Sequence, residues 1–306
     1  MKWLAVLVML LGCTEPAYLE SIPQPQVYFC PRDDCEGVLL AFINSSESLS
    51  CAFYDLGLAA AIDALDSSRV IVDWRNVPEN TSFRAHKGPG LMHNKFCVGG
   101  GRVLTGSMNP TENGASKNNN NIIIINSALL ASNYLEEFDE LWNDESRPNQ
   151  VSHFVLNNKS YENYFCPEDA CEDEVLAELE AARLSVYFMT YSFTSKRIAN
   201  ELIVGHREGK EVRGIFERRM GSSSVYGFLN YQGLDIRLDN NPNTMHHKVF
   251  IIDNETVITG SYNPTANANL RNDENLLIIH DGEVAERFLE EFRVVWGASE
   301  LSKRNI

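Results

Sequence analysis

Two short segments hold the side chains whose types and spacing could do chemistry. MHNKFCVGGGRVLTGSMNPT (92–111) parallels MHHKVFIIDNETVITGSYNPT (245–265). Each places a His and a Lys at i, i+2 on an apolar, strand-like run: His93 with Lys95, and His246 with Lys248. A strand has a side-chain period of two, so both members of a pair point to the same face. Two unlike polar groups on one side of a strand that otherwise reads as core require a partner. A pseudo-twofold arrangement of the two copies would bring both His and both Lys to one central cleft. Just downstream, GSMN (106–109) and GSYN (260–263) supply Ser107 with Asn109 and Ser261 with Asn263, on turns able to aim donors at an anion. His247, one place out of register, is expected on the opposite side of its strand and outside the chemistry.

The elements that must position these residues repeat as well. YLEEFDELW (134–142) parallels FLEEFRVVW (288–296), and Ser107 to Trp142 and Ser261 to Trp296 are both 35 residues apart. The chain is thus a duplication. Hydrophobic periodicity in the first half predicts strands at 27–30, 49–54, 70–73, 93–98, 103–105 and 122–125, and helices at 36–46, 58–65 and 128–142. The second half repeats this order, with an added helix near 222–230. Alternating elements of this kind build an α/β fold, a mixed sheet flanked by helices in each half. At 306 residues the chain has room for two such units. The expected organisation is 1–13 a leader, 14–26 a tether, 27–147 an N-terminal half and 148–306 a C-terminal half, with Asn143 to Asn158 as the connection.

The paired HxK…GSxN segments resemble the motif of the phospholipase D superfamily, HxKxxxxDxxxxxxGSxN. The second copy matches throughout, at His246, Lys248, Asp253, Gly260, Ser261 and Asn263. The first matches at His93, Lys95, Gly106, Ser107 and Asn109, but has Gly99-Gly100-Gly101 and one residue fewer where the Asp belongs. The resemblance implies two α/β halves around one shared active site. It also implies cleavage of phosphodiesters without a metal or other cofactor, through a covalent phosphohistidine. The missing Asp is read as a tolerated change, with the glycines making a tight turn. The alternative is a decayed first half in a non-catalytic phosphate-binding module.

On that reading Lys95, Lys248, Asn109 and Asn263 neutralise and orient the phosphate oxygens, with Ser107 and Ser261 assisting. One neutral imidazole attacks phosphorus, and the other protonates the leaving oxygen and then deprotonates water. An unperturbed His titrates near about 6.5, so opposite protonation states are attainable at neutral pH. Thirteen residues after Ser261 stands Glu274, and thirteen after Ser107 stands Asn120. The family places this acidic or amide residue against the His of the opposite half. Glu274 would then support His93 as nucleophile, and Asn120 would face His246 as general acid/base.

Composition bounds the setting. Lys plus Arg number 26 against 42 Asp plus Glu, and loss of Lys2 with the leader takes the net charge from −16 to −17. This disfavours a broad basic face for nucleic acid and tilts the expected substrate from nucleic acid to phospholipid. Lys117, Arg213, Arg218 and Arg219 could still make a local path for a nuclease. Lys2, the apolar run Trp3 to Leu11 and Gly12-Cys13 match an export signal whose end resembles a lipobox, making Cys13 a candidate lipidated residue and the protein a membrane-anchored lipoprotein. Ordinary secretion and an uncleaved N-terminus are the alternatives. YFCPRDDCE (28–36) and YFCPEDACE (164–172) suit local disulfides Cys30 with Cys35 and Cys166 with Cys171, with a four-thiolate zinc centre as the competing reading. Cys51 and Cys97 fit either buried free thiols or a third bridge. The sequons at Asn44, Asn80, Asn158 and Asn254 have chance occurrence as the default reading. No protein partner is required, because both halves of the site lie in one chain.

Overall fold

The computed structural model describes residues 19–301. Each half folds around a seven-stranded mixed sheet, and the strand order is the same in both. In the first it runs Gln26–Cys30, Asn120–Asn126, Arg102–Gly106, Lys95–Gly99, Ser50–Phe53, Arg69–Asp73, Arg84–His86. In the second it runs Lys159–Cys166, Glu274–His280, Thr256–Gly260, Lys248–Ile252, Ser185–Thr190, Glu211–Phe216, Asp235–Leu238. The first four neighbouring pairs in each sheet are antiparallel and the last two parallel.

Three further strands extend the second sheet to ten, and two of them revise the expected organisation. His153–Leu156 lies within the segment read as a connection and pairs with Lys159–Cys166. Leu19–Glu20 lies within the expected tether and pairs in parallel with His153–Leu156. Glu20 also accepts hydrogen bonds from Ala128 N and Leu129 N at the start of helix Ala128–Asn143, and Asn157 bonds both the N–H and the carbonyl of Ile22. Residues 19–26 are therefore docked and not a free tether, because their backbone groups find partners on the opposite half. Cys13 and the leader lie outside the described residues.

Packing places the two long helices between the sheets. Ala128–Asn143 and Gly282–Ala298 bury Tyr134, Phe138, Phe288 and Phe292 in one shared core with Phe29, Phe96, Phe165 and Val249, which come from both sheets. Each sheet's outer face is covered by its own shorter helices, over separate clusters around Leu39 and Phe53 or Phe188 and Phe216. The extra length of the second half lies in Lys196–Arg207, twice as long as its counterpart Ala59–Ala64, and in a 3₁₀ turn Arg218–Ser223 followed by helix Tyr226–Tyr231.

Three disulfides form: Cys30–Cys35, Cys166–Cys171 and Cys51–Cys97. The four cysteines of the candidate zinc centre are thus paired within their own halves. Cys51–Cys97 joins neighbouring strands beneath Lys95, and the second half fills the equivalent place with the pair Phe188 and Phe250.

Candidate active site

Each HxK segment is locked at the seam between the halves before its strand begins. His93 N donates to Asp273 O and Asp273 N to Leu91 O, both at 2.9 Å, joining the first segment to the start of strand Glu274–His280. The second copy does the same, His246 N to Asn119 O and Asn119 N to Thr244 O, again at 2.9 Å. A carboxylate braces each segment from its own half. Asp73 accepts from Met92 N at 3.0 Å and Glu217 from Met245 N at 2.7 Å. Asp73 ends the strand VIVD and Glu217 follows GIF, so the repeat itself could have revealed them.

The imidazoles are then fixed across the seam. His93 Nδ1 lies 2.7 Å from Glu274 Oε2, and His246 Nδ1 lies 2.9 Å from Asn120 Oδ1 and 3.1 Å from Ser107 O. Asn120 Nδ2 donates to Gly114 O, which settles the amide orientation. Both Nδ1 atoms therefore face acceptors only, carry the proton, and leave the Nε2 lone pairs for the cleft. Tyr54 and Tyr191, equivalent residues just past strands Ser50–Phe53 and Ser185–Thr190, set their rings against His93 and His246 at 5.1 and 4.8 Å. Sequence reasoning missed them; their matching places after the repeated strands were the available signal.

Lys95 Nζ donates to His93 O at 2.6 Å, and Lys248 Nζ to His246 O at 2.9 Å, while also lying 3.2 Å from His246 Nε2 at the edge of the cleft. Both ammonium groups lie 5.3 Å from the ring centre of their own half's Tyr. His93, His246, Asn109 and Asn263 line a cleft of about 640 Å³, together with Tyr54, Leu91, Tyr191 and Thr244. Asn109 Oδ1 is buried with no hydrogen-bond partner; a phosphate oxygen would be met by the Nδ2 donor of this amide.

Three expected site residues stand elsewhere. Ser107 and Ser261 do not face the cleft: their hydroxyls donate to Asn120 and Glu274 and accept from Asn121 N and Asn275 N, so they stiffen the groups behind the imidazoles. The glycine before each serine is required by this close approach. A Cβ on Gly106 or Gly260 would lie 2.3 or 2.4 Å from the carbonyl oxygen of Asn121 or Asn275, and both glycines have φ above +130°. Asp253 sits in the turn before strand Thr256–Gly260, where it accepts from the N–H groups of Arg183, Leu184 and Ser185. The first half needs no such brace, because Gly100 and Gly101, both at positive φ, close a two-residue turn and Gly99 packs directly on Glu47 O. His247 faces away from the cleft, bonded to Glu291 and Asn121.

Burial dominates the electrostatics. It pushes the His93 pKa down to about 4, with the two lysines adding to the fall and Glu274 opposing it. His246 falls well below its ordinary value for the same reason, with Lys248 and Lys95 contributing and no carboxylate behind it. Lys95 is lowered by burial to about 7. Glu274 keeps its charge: burial raises its pKa, but His93, Lys95 and Ser261 outweigh that and hold it below the usual range. Both imidazoles are therefore neutral in the empty cleft at neutral pH.

A His with a depressed folded pKa makes its contribution to stability above its unfolded value and loses it as pH falls. The melting temperature should drop between pH 6.5 and about 4, and His93→Gln should make that drop shallower in scanning calorimetry. An unchanged slope would contradict the neutral, buried imidazole.

Two stretches of the chain, 42–142 and 175–296, match the family profile described as "Cardiolipin synthase, PLD-like domain". The chain belongs to the phospholipase D-like family. A phospholipase D of Rickettsia prowazekii is 32% identical over 147 residues, 46% of this chain and 71% of that one. The mitochondrial cardiolipin hydrolase of Homo sapiens is 36% identical over 125 residues, 40% of this chain and 49% of that one. Each match has about the length of one half. Phosphatidylserine synthase of Haemophilus influenzae shares the fold over 90% of this chain and 87% of its own, with a TM-score of 0.70 at 13% identity.

Proposed function

We propose that this phospholipase D-like protein is a phosphodiesterase that acts on phospholipids through a phosphohistidine on His93. The observation that carries the reading is the pair of Nδ1-anchored imidazoles, one backed by the Glu274 carboxylate and the other by the Asn120 amide. His93 Nε2 attacks phosphorus as the bond to the leaving oxygen breaks, and that oxygen takes the proton from His246 Nε2. His246 then removes a proton from water, the water oxygen attacks phosphorus, and the P–N bond breaks to restore His93. Lys95, Lys248, Asn109 and Asn263 hold the non-bridging oxygens. The arriving monoanion supplies the charge that raises His246 and both lysines towards their protonated forms.

Every charge the step needs comes from side chains, so no metal enters it. Relatives named phospholipase D and cardiolipin hydrolase favour a phospholipid, as does the net charge of −16. Three disulfides fit the oxidising compartment that export would reach, and no helix among the described residues is long and apolar enough to cross a membrane.

Rapid acid-free quenching of the enzyme with a diester labelled at phosphorus tests the assignment. His246→Ala should retain label on the protein, His93→Ala should not, and chelators should leave turnover of the wild type intact. Label retained only when His93 is absent would reverse the roles. No turnover of any diester, including a bis-aryl one, would leave a binding module instead.

A further inference from the structure

Among the described residues, one group of three metal-ligating side chains converges away from the cleft: Glu162, Glu178 and His280, whose donor atoms all lie within 4.8 Å of one another. They come from three elements of the second half: strand Lys159–Cys166, helix Cys171–Ala181 and the end of strand Glu274–His280. His280 Nε2 lies 3.1 Å from Glu162 Oε1 and 3.6 Å from Glu178 Oε1. One N–H serves one acceptor well, and 3.6 Å is too long for a second hydrogen bond. Two ligands on a tetrahedral zinc ion, with bonds of about 2.0–2.2 Å, stand about 3.3–3.6 Å apart, so the three atoms need little movement to share one ion.

The groups behind these atoms orient them. Thr256 Oγ1 is 2.9 Å from His280 Nδ1; accepting the Nδ1 proton, it leaves the Nε2 lone pair for the ion. Tyr164 donates to Glu162 Oε2 at 2.7 Å and His153 Nε2 lies 3.1 Å from the same oxygen, so Oε1 is the atom turned to the group. His153 is held in its turn, with Nδ1 2.9 Å from Ser152 Oγ. Glu174, one helical turn before Glu178, stands beside the Tyr164 hydroxyl and adds a third carboxylate. Three acids around two imidazoles leave a surplus of negative charge that a divalent cation offsets.

The duplication shows that the fold does not require these groups. Counted from the matched cysteines and serines, Glu162, Glu174, Glu178, Thr256 and His280 occupy the places of Gln26, Val38, Phe42, Arg102 and Asn126. Those five first-half residues line one cavity with Tyr28, where Arg102 lies 5.0 Å from the Phe42 ring and Tyr28 donates to Gln26. The first half thus closes the same strand-to-helix contact with amides and an Arg–Phe stack, and the second half alone places imidazole and carboxylates there. His153 stands on a strand that the first sheet lacks.

We infer that Glu162, Glu178 and His280 bind a divalent transition-metal ion of the zinc class, which pins helix Cys171–Ala181 to the sheet and keeps a fourth position for water. Imidazole mixed with carboxylates suits zinc, whereas calcium and magnesium take oxygen ligands. The ion stands outside the phosphodiester step, because His280 ends the strand that Glu274 begins, about 20 Å along it.

The test uses the full chain, stripped with a chelator, dialysed, and titrated calorimetrically with zinc chloride. Zinc should bind one per chain with a preference of about 100-fold over magnesium. At a free concentration about a hundred times its Kd it should raise the melting temperature by about 5 °C. Cobalt(II) in its place should give the visible absorption of a low-coordinate site. The double variant Glu162→Gln, His280→Asn installs the residues the first half already carries and so preserves the strand contacts; it should lose the zinc, the thermal shift and the cobalt band. Glu178→Gln, which keeps the side-chain volume, should weaken zinc binding at least about tenfold. Absence of zinc binding by the parent overturns the site in favour of a His280 imidazolium shared between carboxylates. Zinc binding that both variants retain overturns it as well, and moves the ion elsewhere, to the imidazoles of the cleft if substrate turnover is then lost with zinc bound.

Discussion

His246→Ala is expected to lower kcat/KM for a diester with an alkyl leaving group by about 10²–10⁴-fold, while kcat/KM for a nitrophenyl diester, which reports formation of the phosphoenzyme and not its hydrolysis, falls far less. An alkoxide is a poor leaving group and needs a proton as the P–O bond breaks; a nitrophenolate leaves without one. His246 is placed to supply it: its Nδ1–H is spent on Asn120, so the only mobile proton is on Nε2, beside the cleft. The pH dependence follows from the same position. Burial, Lys248 and Lys95 hold the free imidazole well below its ordinary pKa, so the acid form is scarce in the empty enzyme at neutral pH. For the alkyl diester kcat/KM should therefore fall as pH rises through the neutral range, and the limb should be shallower for the nitrophenyl diester, on which only deprotonation of the phosphate-holding lysines, Lys95 at about 7 among them, still acts. Below about pH 4 both should lose rate, because His93 becomes protonated and cannot attack. Equal losses on the two substrates would show that His246 positions the phosphate and is not its acid.

How much of this was legible in the sequence divides by distance along the chain. Period-two patterning gave each HxK strand and its face, and the duplication gave the pairing of halves. The alternation of strand and helix gave the layer order, because a repeated pattern constrains two folds at once. The cross-seam partners were legible only through the family motif, since Glu274 and His93 are 181 residues apart and no periodicity links them. The serines misled for a physical reason. A hydroxyl on a turn beside a phosphate site is free to point either way, and the backbone N–H groups of Asn121 and Asn275 capture it on the side away from the cleft. The docked segment 19–26 was missed because two paired residues and a capping Glu20 are too short to carry a period. Tyr54, Tyr191, Asp73 and Glu217 were visible only as equivalent positions of the two copies, not as members of any motif.

Glu274→Gln should reduce kcat by about 10²–10⁴-fold, with the loss in formation of the phosphoenzyme and not in its hydrolysis. The reason is the imbalance of charge inside the cleft. One imidazole, His93, and the charges of two buried lysines act on Glu274, whose side chain is fully enclosed, with the half-buried Asp55 the other carboxylate near Lys95. As His93 attacks phosphorus its ring becomes positive, and a carboxylate 2.7 Å from Nδ1 stabilises that charge where an amide cannot. Glu274 also raises the pKa values of both His93 and Lys95 against burial, so its loss should move both further down and weaken the hold on the phosphate oxygens. Asn120→Ala removes a neutral orienting acceptor from behind an imidazole that gives up its charge as the P–O bond breaks, so its cost should be nearer tenfold, within the range of one lost hydrogen bond. Stopped-flow release of nitrophenolate separates the cases. Loss of the burst in Glu274→Gln, leaving a single slow phase because formation has become rate-limiting, fits attack by His93. An intact burst with a slowed later phase would move the nucleophile to His246, and the fixed asymmetry of carboxylate and amide would then need another purpose.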